Sequence, residues 1–487
     1  MLKSVSPQSG EVLGEAKSTS IEELIAHCDS AGKLFRGISL FEGTSNSRPC
    51  ILLLEALADA LESNAHRLIE ILDAESALGQ ARLKGELART VFQLRAHAEL
   101  VEGDLLLQPL TEEADAYRVP PLSKQFRLNI PLGPVAIFAA SNFPLAFGIL
   151  GGDTASALAA GCPVIVKAHP AQPMFSEAIK SLVNDCVMEV GINSAWLQVV
   201  TSSSQSFGKV LVQHSEIAAV GFTGSKSGGL ALKGYVDERA VPIPVFAEMS
   251  SINPVFIGPN AAKNRAVEIG KNWASVLAAN AGQLCTKPGL LIAPTKEVAE
   301  IIATAASQAL GELEIPPLLT LGMVENYNNR ISEVQEAIGM EALDSMSSSK
   351  GFRVNASIIH VPSGSLERNP KLFNEIFGPA GLVVSHGDPA IFLEYLEGNL
   401  TSTVFMDEGD ENWFHGISSA LARNAGRLVF NKWPTGVSVG FATVHGGPFP
   451  STTAPQTTSV GFTAAWRFMR PICFDGFPAD LTPEMNA

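Results

Sequence analysis

Cys285 stands in the run Asn280-Ala281-Gly282-Gln283-Leu284-Cys285-Thr286-Lys287, a small and polar setting whose nearby lysine is expected to favour thiolate. A thiolate attacks carbonyl carbon and holds the product as a thioester, so the context points to covalent chemistry. Its competing reading is a small buried hydrophobe, the ordinary fate of a cysteine. Glu248 closes the apolar run Val245-Phe246-Ala247. It reads either as a cap or surface carboxylate, or as a buried group with a raised pKa able to act as a base. Asn142, in Ser141-Asn142-Phe143-Pro144, has an amide that could donate to a developing oxyanion, although Asn before a turn is commonly structural. Glu375, in Asn374-Glu375-Ile376-Phe377-Gly378-Pro379, reads equally as a turn salt bridge.

These residues need elements to hold them. From Pro134 onward, short apolar runs (Val135 to Ala139, Val164 to Val166, Leu197 to Val200, Ala218 to Phe222) alternate with helical stretches, including Ala155 to Ala160 and Met174 to Val190. That alternation predicts βαβ units and a parallel sheet, with ligand sites beyond the carboxyl ends of its strands. Thr223-Gly224-Ser225 follows one such run and precedes Gly228-Gly229. Glycines there let backbone approach a phosphate, and Ser225 adds a hydroxyl beside the positive end of a helix. The turn is not GxGxxG and reads as well as a plain connection. Lys167 ends Val164 to Val166 and points an ammonium at the same crevice; alone it would be a solvated lysine.

A second α/β block is expected from about Ser250 to Trp433, with helices at Ala261 to Ala279 and Lys296 to Leu310 and strands at Gly289 to Ala293 and Ala380 to Ser385. Ahead of both blocks, Leu53, Leu54, Leu57, Leu61, Leu68 and Leu72 recur at helical spacing, predicting a packing helix over Ile51 to Glu75.

A chain of 487 residues, 46% hydrophobic and 17% charged, can bury roughly three domain-sized cores without disulfides or metals. Its net charge of −15 and the lack of a basic run argue against nucleic-acid and anionic-membrane partners. The uncharged stretch 128–152 has the length of a membrane span, but Pro131, Pro134, Pro144 and Gly151-Gly152 interrupt it, predicting a buried strand, loop and helix. Six scattered cysteines without metal-ligand spacing, and a polar start lacking a secretory core, predict a reduced cytoplasmic protein with no metal.

Taken in order, SNFP at 141–144, VK at 166–167, GFTGS at 221–225, EMSSINP at 248–254, GQLCT at 282–286 and EIFGP at 375–379 resemble the aldehyde dehydrogenase superfamily along essentially the whole chain. The resemblance implies an α/β fold: a Rossmann-type cofactor domain (1–115 and 134–249), a catalytic α/β domain (250–435), and a small β extension for oligomerisation (116–133 and 450–487). It implies Cys285 as nucleophile, Asn142 and the Cys285 N–H as oxyanion donors, and Glu248 as base for hydrolysis. It also implies Lys167, Gly224, Ser225, Glu375 and Phe377 as cofactor residues, and a homodimer or homotetramer. Relatives that transfer the acyl group to coenzyme A lack a carboxylate where Glu248 stands.

Departures from the common pattern narrow the reading. NAD-preferring relatives often carry Glu three positions after the Lys, where this chain has Pro170, so NADP is expected, with His169 beside Lys167 near its extra phosphate and NAD as the alternative. The variants KAHPAQP, FAEMSSINPVF and VHGGPFPST are similar to the branch of 2-oxoglutarate semialdehyde (2,5-dioxopentanoate) dehydrogenases. The branch also resembles an NADP-dependent long-chain fatty aldehyde dehydrogenase that shares His445, so His445 and Phe143 are assigned to the substrate pocket. Lys287 and Arg467 are candidates for a substrate carboxylate. A silent homologue kept for binding is the non-enzymatic alternative.

Overall fold

The structure, a computed structural model, describes residues 1–38, 49–340, 350–478 and 481. Among these, strands Leu197–Thr201, Val164–Ala168, Val135–Phe138, Ala219–Thr223 and Val245–Glu248 lie side by side in that order, and every pairing is parallel. The chain order reverses between Val135–Phe138 and Ala219–Thr223, which opens a crevice beyond their carboxyl ends. Both faces of this sheet are covered, which is why its strands are apolar throughout: Val135, Val164, Ile165 and Val166 are wholly buried. One face packs on helices Pro49–Ser63, Ala65–Ser76, Gln80–Glu102 and Pro173–Val190; the other packs on Ile21–Arg36 and Gln205–Gln213.

A second parallel sheet runs Ser357–Val361, Ala380–Ser385, Leu290–Ala293, Pro254–Ile257, Asn399–Phe405, Ala425–Phe430. The helices Pro259–Ala278 and Lys296–Gly311 pack on it around the fully buried Trp273. A small antiparallel sheet stands apart, Met469–Asp475 against Gln125–Pro131 against Leu110–Glu112. The α/β class is as expected, and the sequence-derived elements after Pro134 fall within a few residues of the observed ones.

Two expectations need correction. Ile51 to Glu75 is not one helix but two, Pro49–Ser63 and Ala65–Ser76, because the backbone of Asn64 leaves the helical region at φ −103° and ψ 9°, with its side-chain amide sharing Ala60 O with its own N–H. The uncharged stretch 128–152 holds the end of one strand, the whole of Val135–Phe138, and then loop up to Gly152, where the helix Gly152–Ala159 begins. Asn142 and Phe143 lie in that loop. No helix among the described residues is long and apolar enough to cross a membrane.

Candidate active site

Cys285 sits on an irregular segment between helix Pro259–Ala278 and strand Leu290–Ala293, where Asn280, Ala281 and Gly282 take left-handed backbone. Two amides fix this segment. Asn142 donates its Nδ2 to Gln283 O at 3.0 Å. Buried Asn253 donates to Cys285 O at 2.8 Å and Lys287 O at 3.0 Å, and accepts through Oδ1 from Thr401 and Ser251. The Cys285 N–H has no acceptor among the described residues, which leaves it available to an oxyanion.

Glu248 is the last residue of strand Val245–Glu248 and is buried. The segment 445–459 closes over it: Thr452 forms a bridge with Glu248, Met249 N donates to Ser451 O at 2.8 Å, and Ser459 donates to Glu248 Oε2 at 2.5 Å. His445 completes the group. Its Nε2 lies 3.5 Å from Cys285 Sγ, in hydrogen-bond geometry, and 2.8 Å from Glu248 Oε1, close but out of line for a hydrogen bond. Sulfur, nitrogen and oxygen thus lie within 4.8 Å of one another. Such a mixed donor set is also of a type that binds zinc, a grouping that no local spacing could reveal.

The electrostatics differ from the expectation. Burial opposes charge on Glu248, but His445, Ser459 and Cys285 together hold its carboxyl below the ordinary range, so it is a buried carboxylate and not one with a raised pKa. The Cys285 thiol is pushed well up, by burial first and then by the charges of Glu248 and Glu375. Lys287 does not offset this. Its ammonium is buried and donates to the carbonyls of Ile376, Gly378 (3.0 Å) and Ala380 (2.9 Å), bracing the turn that carries Glu375. Local nearness in sequence misled there, because the turn at 284–287 sends the two side chains apart. Nor is Lys287 a substrate ligand, and Arg467 is buried in an ion pair with Asp153 at 2.6 Å.

On the other side of Cys285 opens a cavity of about 1060 Å³. Asn142, Lys167, His169, Gly224, Ser225, Glu248, Cys285, Glu375 and Phe377 all line it. Phe143 and His445 do not; Phe143 lies 5.5 Å, ring to ring, from Phe147, and Phe147 lies 6.1 Å from His445. The helix Lys226–Asp237 starts at the cavity, capped by Ser225 Oγ, which accepts from Gly228 N at 3.1 Å. A side chain at Gly224 would strike the Phe222 ring at 2.7 Å, so bare backbone faces the cavity there. Lys167 lies within its strand, not after it, and among the described residues its Nζ meets only Ala168 O at 3.5 Å; burial lowers its pKa to about 8. Burial, then Lys167, hold His169 down to about 3, and its Nδ1 accepts from Ala171 N. His169 is therefore a neutral donor through Nε2, not the cation that a phosphate partner would call for. Glu375 is raised to about 7 by burial, against the pull of Lys287 and a hydrogen bond with Ser250.

A cysteine-bearing loop set against the switch point of a dinucleotide-type sheet is an arrangement in which thiol chemistry and a nucleotide cofactor can meet. The chain belongs to the aldehyde dehydrogenase family, whose model matches residues 1–395. It is 39% identical over 493 aligned residues to alpha-ketoglutaric semialdehyde dehydrogenase 2 of Azospirillum brasilense, covering 99% of this chain and 93% of that protein. It is 36% identical to alpha-ketoglutaric semialdehyde dehydrogenase of Acinetobacter baylyi, covering 89% and 83%. Among solved structures, succinic semialdehyde dehydrogenase from Streptococcus pyogenes, in complex with NADP+, superposes with a TM-score of 0.75 at 16% identity, covering 97% of this chain and 99% of that one. The aldehyde dehydrogenase KauB from Pseudomonas aeruginosa does so at 0.78 and 20%, covering 97% and 92%. The protein is accordingly an oxidoreductase of the aldehyde dehydrogenase fold.

Sequence reasoning missed Asn253, Ser459 and the bridging geometry of His445. Asn253 was within reach, lying inside a quoted motif; Ser459 carries no local signal.

Proposed function

We propose that the protein oxidises 2-oxoglutarate semialdehyde to 2-oxoglutarate with NADP, through a thioester on Cys285. The observation that carries the chemistry is the convergence of Cys285, His445 and Glu248 at one end of a cavity whose wall is the Gly224-Ser225 helix start. The substrate rests on the two semialdehyde dehydrogenase relatives at 39% and 36% identity.

A nicotinamide coenzyme bound in the cavity supplies the hydride acceptor. The residues present fit it: Ser225 and the helix N-terminus for the pyrophosphate, Lys167 and Glu375 for the riboses, and Phe377 alongside. The cavity wall includes His169, Pro170 and Gln205, and among the described residues no carboxylate acts on the Lys167 ammonium or would repel a ribose phosphate beside it, which favours NADP. Asn142 and the Cys285 N–H hold the oxyanion formed when sulfur attacks the aldehyde carbon. His445 Nε2 takes the thiol proton, and Glu248 stabilises the imidazolium that results. After oxidation, water adds to the thioester carbon with its proton passing to Glu248, and the S–C bond breaks to release the acid and restore the thiol.

In this reading 134–249 and 250–435 remain the cofactor and catalytic units, but the oligomerisation sheet takes in Leu110–Glu112 from 1–115 and, of 450–487, only Met469–Asp475, because Thr452 and Ser459 lie on Glu248. At the loop of this antiparallel sheet Tyr117 and Val119 are 97% exposed, and they support a homo-oligomer joined there. Buried reduced Cys28, Cys162 and Cys186 suit a cytoplasmic setting. The test is reduced-coenzyme formation from 2-oxoglutarate semialdehyde and a series of aliphatic aldehydes with NADP and NAD. The semialdehyde with NADP is expected to give the highest kcat/KM and Cys285→Ala none; better turnover of long-chain aldehydes would overturn the substrate.

A further inference from the structure

Arg89, on helix Gln80–Glu102, is half-buried on the far side of Phe147 from the thiol. Its Nε and Nη2 are shut off from solvent and have no hydrogen-bond partner among the described residues. Those two nitrogens form the side-on edge of the guanidinium, the edge that pairs with both oxygens of one carboxylate. The guanidinium carbon lies 5.3 Å from the centre of the Phe147 ring, and that ring lies 6.1 Å from His445, which touches Cys285. Arg89 therefore stands behind two rings, Phe147 and His445, from the reacting group, near enough for its charge to act on Cys285 and Glu248.

The neighbouring arginines are already committed. Arg82 donates to Asn142 O, pairs with Glu86 at 3.7 Å and stacks 4.7 Å over Phe143. Arg427, whose charge also reaches Cys285, donates to Pro434 O and to Gly436 O at 3.0 Å. Glu86 is no partner for the Arg89 fork, since its Oε1 accepts from Leu145 and Ala146 N–H groups at 2.9 and 3.0 Å and its Oε2 faces Arg82. A buried fork with no anion on it is costly to hold, and a ligand that brings the anion removes that cost.

We propose that Arg89 is the binding site for the far carboxylate of the substrate, taking both oxygens through Nε and Nη2 while the aldehyde carbon lies at Cys285. In a five-carbon semialdehyde the four carbon–carbon bonds set the two ends roughly 5 Å apart, so with the aldehyde at Cys285 the carboxylate would lie alongside the Phe147 ring, on the side from which Arg89 faces it. The inference rests on the oxo-acid semialdehyde reading and supplies the local basic group that an acidic protein needs to hold an anion.

The test compares kcat/KM for 2-oxoglutarate semialdehyde with that for pentanal in wild type, Arg89→Gln and Arg89→Lys. Wild type is expected to prefer the semialdehyde. The preference ratio should fall about a hundredfold in Arg89→Gln and about tenfold in Arg89→Lys, which keeps charge but loses the fork. Protection of Cys285 from iodoacetamide by 2-oxoglutarate is measured in the same proteins and should weaken in the same order. If Arg89→Gln does not fold, Arg89→Lys and the protection assay decide. A wild-type preference that survives both substitutions within threefold overturns the role of Arg89 and leaves the substrate standing; a wild type without preference overturns both.

Discussion

Glu248→Gln keeps the volume of a buried side chain and removes its charge, so it separates two effects of one carboxylate. Glu248 and Cys285 present their oxygen and sulfur within 4.8 Å of each other. Two unit charges at that distance repel by about 3.5 kcal/mol at an effective dielectric of ~20, a few hundredfold in thiolate population. His445, 2.8 Å from Glu248, takes up part of that field, so we expect a smaller gain, at least about tenfold. The assay is the alkylation rate of Cys285 by iodoacetamide at pH 8, followed by peptide mass spectrometry because Cys473 is exposed. Steady-state aldehyde oxidation is measured beside it and should fall ~10²–10⁴-fold, the usual worth of a general base. Faster alkylation with slower turnover is the expected signature. If alkylation slows in step with turnover, Glu248 generates the thiolate instead of opposing it, and the assignment of the thiol proton to His445 fails.

Further outcomes follow from the same geometry. Because the Cys285 thiol is held well above its ordinary range, its alkylation should keep rising with pH up to 9 without a plateau; a plateau near pH 7 would mean that the burial and the two carboxylates do not govern it. Lys167 loses its proton near pH 8, so it is charged below that pH and neutral above it. The preference for NADP over NAD, measured by fluorescence titration, should therefore fall between pH 7 and 9.5 in wild type and be small and flat in Lys167→Met; a pH-independent preference in wild type would place the phosphate elsewhere. Asn253→Ala orphans the carbonyls of Cys285 and Lys287 and places alanine at a left-handed φ of 52°, together costing about 3–5 kcal/mol in urea unfolding. Asn253→Gly should recover about 1 kcal/mol of that, and a loss under 1 kcal/mol for the alanine would show that the loop is held by other means.

Strands such as Val135–Phe138 and Val164–Ala168 were legible because burial on both faces demands unbroken apolar runs, a demand each residue meets by itself. The motif residues were legible for a similar reason: Gly224 is required by a clash with Phe222 two residues away. What escaped was whatever depends on a partner distant in sequence. Lys287 reads as a neighbour of Cys285 in the linear order, yet its partners are carbonyls 89 to 93 residues on. Ser459 finds Glu248 across 211 residues, and the free fork of Arg89 is visible only once the partners of Arg82, Arg427 and Glu86 are known. The break at Asn64 was local, but a leucine pattern in register on both sides of it concealed the turn.

His445 joins the thiol from 160 residues further along the chain, and the segment that brings it also shields Glu248. During synthesis at ~5–20 residues per second, the cysteine leaves the ribosome on the order of ten to thirty seconds before the residue that takes its proton. Through that interval the thiol is neither enclosed nor set against Glu248, so it stands at its ordinary acidity. The raised thiol and its neighbouring imidazole are therefore both properties of the finished chain, acquired together when its last segment folds onto the site.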